Sequence, residues 1–160
     1  MKRRQNINRI ICAFLRRSGE KSGKSKKNAA PEIRRMVMED GAAIAELEYS
    51  LFRDAWSEKS ILETLKQPNA ICLIAEKADR TAGYLLAYTA AEEMEIARIG
   101  VVKEMRRQGV ARELLGALEK IGKQSGIEKY CWMCGQETKR HTNYIQAKDL
   151  RKTGSESILF

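Results

Sequence analysis

The sequence predicts a single α+β domain built on a mixed, mostly antiparallel sheet flanked by helices. Three features lead there. Two apolar β-type stretches are joined by a short polar turn, a third strand runs through a basic loop into a strongly amphipathic helix, and a last strand follows that helix. At 160 residues with 43% hydrophobic content, the chain has the size of one domain with a proper core.

Ile33 to Val37 is a short apolar segment suited to open the sheet. Asp40 then stands where it would cap a helix with Ile44, Leu47, Leu51 and Phe52 on its apolar face. Ser57 is placed to cap a second helix carrying Ile61, Leu62 and Leu65, which Pro68 and Asn69 end. Ala70 to Glu76 and Gly83 to Thr89 read as an antiparallel hairpin turning around Asp79 and Arg80. A strand from about Glu95 to Val101 leads into a helix with Val110, Leu114, Leu115, Leu118 and Ile121 at helical spacing. Gly126 ends that helix, and Ile127 to Met133 reads as a strand. The expected order is β-α-α-β-β-β-α-β.

Charge is unevenly placed. The chain has 30 Lys and Arg against 21 Asp and Glu; ten of the former and only Glu20 of the latter lie in residues 1–31, so the remainder balances at 20 against 20. The net charge of +9 therefore belongs to a leader, residues 1–31, and residues from Glu32 onward form the domain. Its apolar patch, Ile10 to Leu15, is too short for a signal-peptide core and far too short for a membrane span. The leader reads as a disordered basic tail, a contact to ribosomal RNA, or the product of a start codon assigned too far upstream. Four Cys without a repeated framework, and no secretory signal, point to the cytoplasm, and no membrane partner is expected.

The chemistry-bearing stretch joins Ile99-Gly100-Val101 to Gln108-Gly109-Val110-Ala111-Arg112 at the start of the amphipathic helix. The first amide groups of a helix lack intrahelical partners and sit at the positive end of its dipole, so a diphosphate can be held there by backbone alone. Small residues at Gly109 and Ala111 admit a ligand, and Arg107 and Arg112 add charge.

Arg106-Arg107-Gln108-Gly109-Val110-Ala111 resembles the Arg/Gln-x-x-Gly-x-Gly/Ala loop of the GNAT N-acetyltransferases, with a strand before it and a helix after it as in that family. The resemblance covers Ile33 to about Tyr130 and implies the GNAT acyl-CoA N-acyltransferase fold, with acetyl-CoA as co-substrate and no metal. It further implies that the loop holds the acetyl-CoA diphosphate and that Ile99 to Val101 pairs with the pantetheine arm and polarises the thioester carbonyl. Phe52-x-x-Ala55-Trp56-Ser57-Glu58 resembles the Phe-x-x-Pro-Trp-Ser signature of the ribosomal-protein-alanine acetyltransferases, with Ala55 in place of the proline. That branch acetylates a protein N-terminus, the N-terminal alanine of a small-subunit ribosomal protein. Trp56 is then either a buried anchor between the first two helices or part of the peptide groove.

Past Tyr130 the resemblance stops. The branch would continue with Leu-Glu-Val-Arg, then Asn, Ala-Ala, Leu-Tyr and Gly-Phe, whereas Cys131-Trp132-Met133-Cys134-Gly135 stands here. Trp and Met have single codons and Cys two, so the bases are nearly determined. Read from the third base of the Cys131 codon they spell Leu, Asp, Val, then Arg or Trp. The shifted frame goes on to permit the Asn and Ala-Ala, requires a Leu across Asn143 and Tyr144, and permits Gly-Phe between Lys148 and Leu150, all without a gap. The hypothesis is that one base is missing near codon 131 and that residues 131–160 are out of frame, leaving the C-terminal part of the fold incomplete. Cys131-x-x-Cys134 then needs no metal or redox reading, having no second ligand pair, and His141, the only histidine, offers neither base nor ligand.

Acetyl transfer needs a neutral amine, a stabilised oxyanion and a proton for the thiolate. An α-amine titrates near 8 against about 10.4 for lysine, so deprotonating it is cheaper by roughly 3 kcal/mol and mild base catalysis suffices. By resemblance, the usual base and acid are the acidic residue of the lost Leu-Glu-Val-Arg strand and the tyrosine of the lost Leu-Tyr pair. Glu95 is the surviving candidate: many relatives keep a carboxylate there that receives protons through water, and a solvated strand-end carboxylate is the alternative. Arg98 departs from the small or amide residue usual in the family, which leaves the acceptor open between a protein N-terminus, a lysine and a small amine. An acyl-CoA-binding remnant without turnover is the remaining reading.

Overall fold

The computed structural model describes residues 30–132 and 145–146. Most of the basic leader, Cys134 and His141 lie outside the described residues. The elements are β1 (Glu32–Arg35), α1 (Gly41–Leu51), α2 (Glu58–Leu65), β2 (Ala70–Lys77), β3 (Arg80–Ala90), β4 (Glu93–Val101), α3 (Val110–Gln124), β5 (Lys129–Trp132) and β6 (Ile145–Gln146). Single 3-10 turns at Met38–Asp40 and Lys103–Met105 precede α1 and α3.

The six strands lie in chain order in one sheet, β1 to β4 antiparallel, β5 parallel to β4, and β6 antiparallel to β5. The expected change of direction at the last crossover is present, made by α3, and the strand after it includes the first two residues of the supposed out-of-frame tail. Alternation places α3 on one face of the sheet, over Leu73, Leu85, Met94, Ile96 and Tyr130. The other face, with Cys72, Ile74, Tyr84 and Leu86, packs against Ile44 of α1 and Ile61 of α2.

Helix α3 buries the predicted stripe Val110, Leu114, Leu115, Leu118 and Ile121. It closes on Gly126 at φ +72°, with Ile127 N–H bonding Gly122 C=O at 2.9 Å and Gly126 N–H bonding Lys123 C=O at 3.4 Å. That is a Schellman ending, in which the left-handed residue turns two amides back onto orphan carbonyls. Ser57 caps α2 as expected, its Oγ accepting from Ser60 N–H at 3.2 Å.

Two local readings are corrected. The β2–β3 turn is centred on Ala78 and Asp79, both at positive φ, so Lys77 faces Arg80 across a two-residue hairpin turn. Asp40 does not cap α1 through its side chain. Its carboxylate takes two 2.8 Å hydrogen bonds from Arg34 and one from Val37 N–H, and Arg34 also reaches Glu76 at 2.7 Å. A bidentate guanidinium is a stronger partner for a carboxylate than a single amide, and β1 ends at Arg35 as the chain turns to make that contact.

Candidate functional site

Strand β4 organises the site through one extra residue. Arg98 faces Leu86 and Ile96 faces Ala87, so Ala97 bulges out of the β3–β4 ladder. The bulge keeps Met94, Ile96 and Ile99 together in the α3-side core. It also puts Glu95 and Arg98, three positions apart, on the opposite face, Glu95 beside Tyr88 and Arg98 beside Leu86.

Beyond the bulge, β4 has an edge that is open among the described residues. Val102 N–H bonds Ala82 C=O at 3.0 Å, and alternation then turns the backbone groups of Gly100 and Arg98 toward β3 and those of Ile99 and Val101 away from it. The parallel pairing with β5 stops at Ile96 and Trp132, so among the described residues no strand covers that edge past Ile96. Arg106 Nε reaches Val101 C=O at 3.3 Å and is the one side-chain donor recorded there. Gly100 thus contributes by its lack of a side chain, and Ile99 and Val101 by their backbone.

The edge leads through residues 102–109 to the start of α3. The first bond recorded in that turn runs from Glu113 N–H to Gly109 C=O at 3.0 Å, which leaves the N–H groups of Val110, Ala111 and Arg112 ahead of it. Gly109 holds φ +83°, and a Cβ built there would meet nothing within 4 Å, so the space over the helix start is clear. Arg107, at φ +60°, and Arg112 are exposed beside it. The Gln108 side chain accepts from Lys77 Nζ at 3.0 Å and donates to Glu104 C=O at 2.8 Å, fastening the loop to β2.

On the other face a groove of about 380 Å³ is lined by Trp56, Ser60, Glu63, Thr64, Gln67 and Tyr88. Trp56 is half-buried and belongs both to this wall and to the core beneath α1 and α2. Its backbone N–H donates to Glu48 Oε2 at 2.9 Å. Glu48, wholly buried on α1, also accepts from the Tyr84 hydroxyl and stands 3.4 Å from Arg98 Nε. Burial pushes its carboxyl above the usual glutamate range, opposed by the Trp56 amide and the Arg98 charge. Arg98 lies over the Phe52 ring at 4.6 Å and the Trp56 ring at 5.7 Å, and its Nη2 donates to Asp54 C=O at 2.6 Å. Glu48, Asp54 and Tyr84 were not singled out from sequence. The available signal was a glutamate four residues after Ile44, on the apolar face of α1.

Among the described residues no three His, Cys, Asp or Glu side chains gather as metal ligands would, and no helix is long and apolar enough to cross a membrane. Cys131 is buried, with its thiol 3.6 Å from Met94 C=O.

A mixed sheet in which the described part of β5 runs parallel to the first half of β4, with a bare helix start beyond the second half, defines an acyltransferase-type domain. The chain belongs to the acetyltransferase (GNAT) family, which it matches over residues 41–144, and is an N-acetyltransferase by that membership. Solved structures share the fold. The ribosomal-protein-S18-alanine N-acetyltransferase of Escherichia coli is 18% identical at a TM-score of 0.60, with 68% of this chain and 70% of that one covered. The PaiA N-acetyltransferase of Thermoplasma acidophilum, in complex with coenzyme A, is 18% identical at a TM-score of 0.58, with 69% and 83% covered. An aminoglycoside acetyltransferase from an uncultured soil metagenomic sample is 17% identical at a TM-score of 0.54, with 67% and 79% covered. No curated protein sequence matches the chain at a significant level.

Proposed function

We propose that this chain transfers acetyl from acetyl-CoA to the N-terminal α-amine of a protein in the cytoplasm, the acceptor being the N-terminal alanine of a small-subunit ribosomal protein. The observation that carries the reading is the continuity between the open edge of β4 and the bare start of α3. An extended pantetheine arm suits the outward-facing backbone of Ile99 and the Val101 N–H, with Gly100 keeping the strand slim. A diphosphate suits the N–H groups of Gly109 to Arg112, the helix dipole, and the charges of Arg107 and Arg112. The PaiA structure with coenzyme A supports the same ligand here. Acetyl-CoA supplies the acetyl group as a thioester; the chain's own residues orient it and supply N–H groups to its carbonyl.

The groove beside Trp56 and Tyr88 is the acceptor side in this reading. Glu95 neighbours Tyr88 on the same face and takes the ammonium proton through water. The Phe52 to Ser57 signature and the likeness to the Escherichia coli enzyme support a protein N-terminus. Arg98 favours a second reading, acetylation of a lysine or a small amine, because it replaces a small or amide residue with a guanidinium beside that groove; the aminoglycoside acetyltransferase shares the fold. The leader, +9 over 31 residues, suits a contact with ribosomal RNA.

Residues 131–160 are, in this proposal, out of frame, so the chain as written lacks its usual acid and base and is reduced to weak turnover or to binding acyl-CoA. Resequencing the coding DNA across codons 125–136 separates the two origins of the shift: an extra base makes this an ordinary acetyltransferase with a misread tail, and an unchanged sequence leaves the chain without its acid and base. The activity is tested with acetyl-CoA and two peptides, one beginning with alanine and one with a blocked N-terminus and a free lysine. Acetyl-CoA-dependent modification of the first alone, increased by frame repair and lost in Glu95→Gln, is the expected result. Modification of the lysine peptide alone selects the second reading.

A further inference from the structure

We propose that Arg98 is a positioning residue that clamps the α1–α2 loop, and Trp56 with it, to strand β4 and so sets the wall of the acceptor groove. The proposal rests on the reading of that groove as the acceptor site. Arg98 meets the loop through Phe52, Trp56 and Asp54, and meets α1 through Glu48. Its guanidinium plane lies over Phe52 at 4.6 Å and Trp56 at 5.7 Å, its Nη2 holds the Asp54 carbonyl at 2.6 Å and the Asp54 carboxylate at 3.2 Å, and its Nε faces buried Glu48 at 3.4 Å. Every residue of the loop that it touches is therefore tied to a strand three positions past Glu95 and one before Ile99. Glu48 grips the same loop from beneath through Trp56 N–H. The Trp56 ring is left with the core on one side and the groove on the other.

A planar cation is needed for this. A lysine keeps the charge but has neither a flat face to lay along two rings nor a fork to take both Asp54 oxygens. Arg98 touches none of the reacting atoms in this scheme. Its effect reaches the reaction through Trp56, so acceptor binding is where it registers.

The test compares the full chain with Arg98→Lys and Arg98→Met in a Trp132→Phe background, where Trp56 is the sole tryptophan. The first readout needs no activity. Acrylamide quenching of Trp56 is expected to rise at least about twofold in both variants, with Asp54→Asn between them and the parent, as the stacked cation and its hydrogen bonds are lost. The second is kinetic: the acceptor KM rises about tenfold, equivalent to about 1.4 kcal/mol, while kcat and the acetyl-CoA KM change by less than about threefold. Unchanged quenching in Arg98→Lys, or a fall in kcat with the acceptor KM unmoved, overturns the clamp. Circular dichroism guards against unfolding of Arg98→Met, and Arg98→Lys, which retains charge and stem, keeps the comparison decisive. The kinetics are read in the frame-repaired chain; if that chain acetylates no amine, the functional reading fails by itself, and quenching still decides the clamp.

Discussion

Gly100 and Tyr84 share one volume. A Cβ on Gly100 would overlap Cε1 of the Tyr84 ring and come within 2.9 Å of its Cζ. The two residues face each other across β3 and β4, and the bare glycine lets the ring lie flat on the strand and present its hydroxyl to Glu48. Gly100→Ala pushes the ring off that hydrogen bond and is expected to cost about 2 kcal/mol, within the range for overpacking a core. Urea unfolding measures it. A loss below about 0.5 kcal/mol would mean that the ring has room to move, which its complete burial argues against.

Glu48 makes a pH-dependent contribution whose sign is set by burial. Its carboxyl is raised in the folded state, so the native protein binds more protons than the unfolded chain above the ordinary glutamate value of about 4.3. Stability therefore falls as pH rises through that window and levels off once the native carboxyl has ionised. Glu48→Gln keeps one acceptor, its carbonyl oxygen, for Trp56 N–H, lets its amide donate to the Tyr84 hydroxyl oxygen, and removes the titration. The parent should lose stability relative to this variant as pH rises from 4 into the neutral range, followed by unfolding free energies across that series. Glu48→Ala, which strands a buried hydroxyl, a backbone amide and the Arg98 charge, should cost about 3 kcal/mol at neutral pH.

The elements were legible where the information is local. The stripe of α3, its end at Gly126 and the Ser57 cap follow from spacing and from residue types that act on their own backbone. The bulge at Ala97 left no such trace, because one extra residue in a strand changes neither composition nor a short alternation. It nevertheless decides that Glu95 and Arg98 share a face. The Glu48 cluster was illegible for a related reason: Tyr84, Trp56 and Arg98 come from three separate segments, and only the pairing of β3 with β4 under α1 brings them together. The loop before α3 was marked by its glycine and its helix, yet the tie of Gln108 to Lys77 depends on β2, thirty-one residues earlier.

Asp40 behaves in the opposite sense to Glu48. Arg34 donates two hydrogen bonds to its carboxyl and, with the Val37 amide, holds it below the usual aspartate range despite partial burial. A depressed folded value means that the pair's contribution is fully present above about pH 4 and is lost as pH falls through the lowered value. Asp40→Asn should cost about 2 kcal/mol at neutral pH, the scale of hydrogen bonds to a charged group. It should also flatten the acid limb of the stability curve. Acid titration of both proteins by circular dichroism checks this, and parallel acid limbs would remove the pair from the account.

Gly109 separates folding from binding. Its φ of +83° disfavours any side chain, while a Cβ there would touch nothing, so Gly109→Ala carries the backbone cost alone, about 1 kcal/mol. The proposed diphosphate site needs that empty space, since its donors are the amides on either side. The same methyl group should therefore weaken acetyl-CoA binding by at least about tenfold, or about 1.4 kcal/mol, while thermal unfolding without ligand shifts by only a few degrees. Arg112→Gln should weaken binding in a salt-dependent manner and leave stability nearly unchanged, because it adds charge without shaping the loop. Calorimetric titration with acetyl-CoA on both variants separates the contributions. A Gly109→Ala protein that binds acetyl-CoA like its parent would place the diphosphate elsewhere and remove the continuity of β4 and α3 from the functional reading.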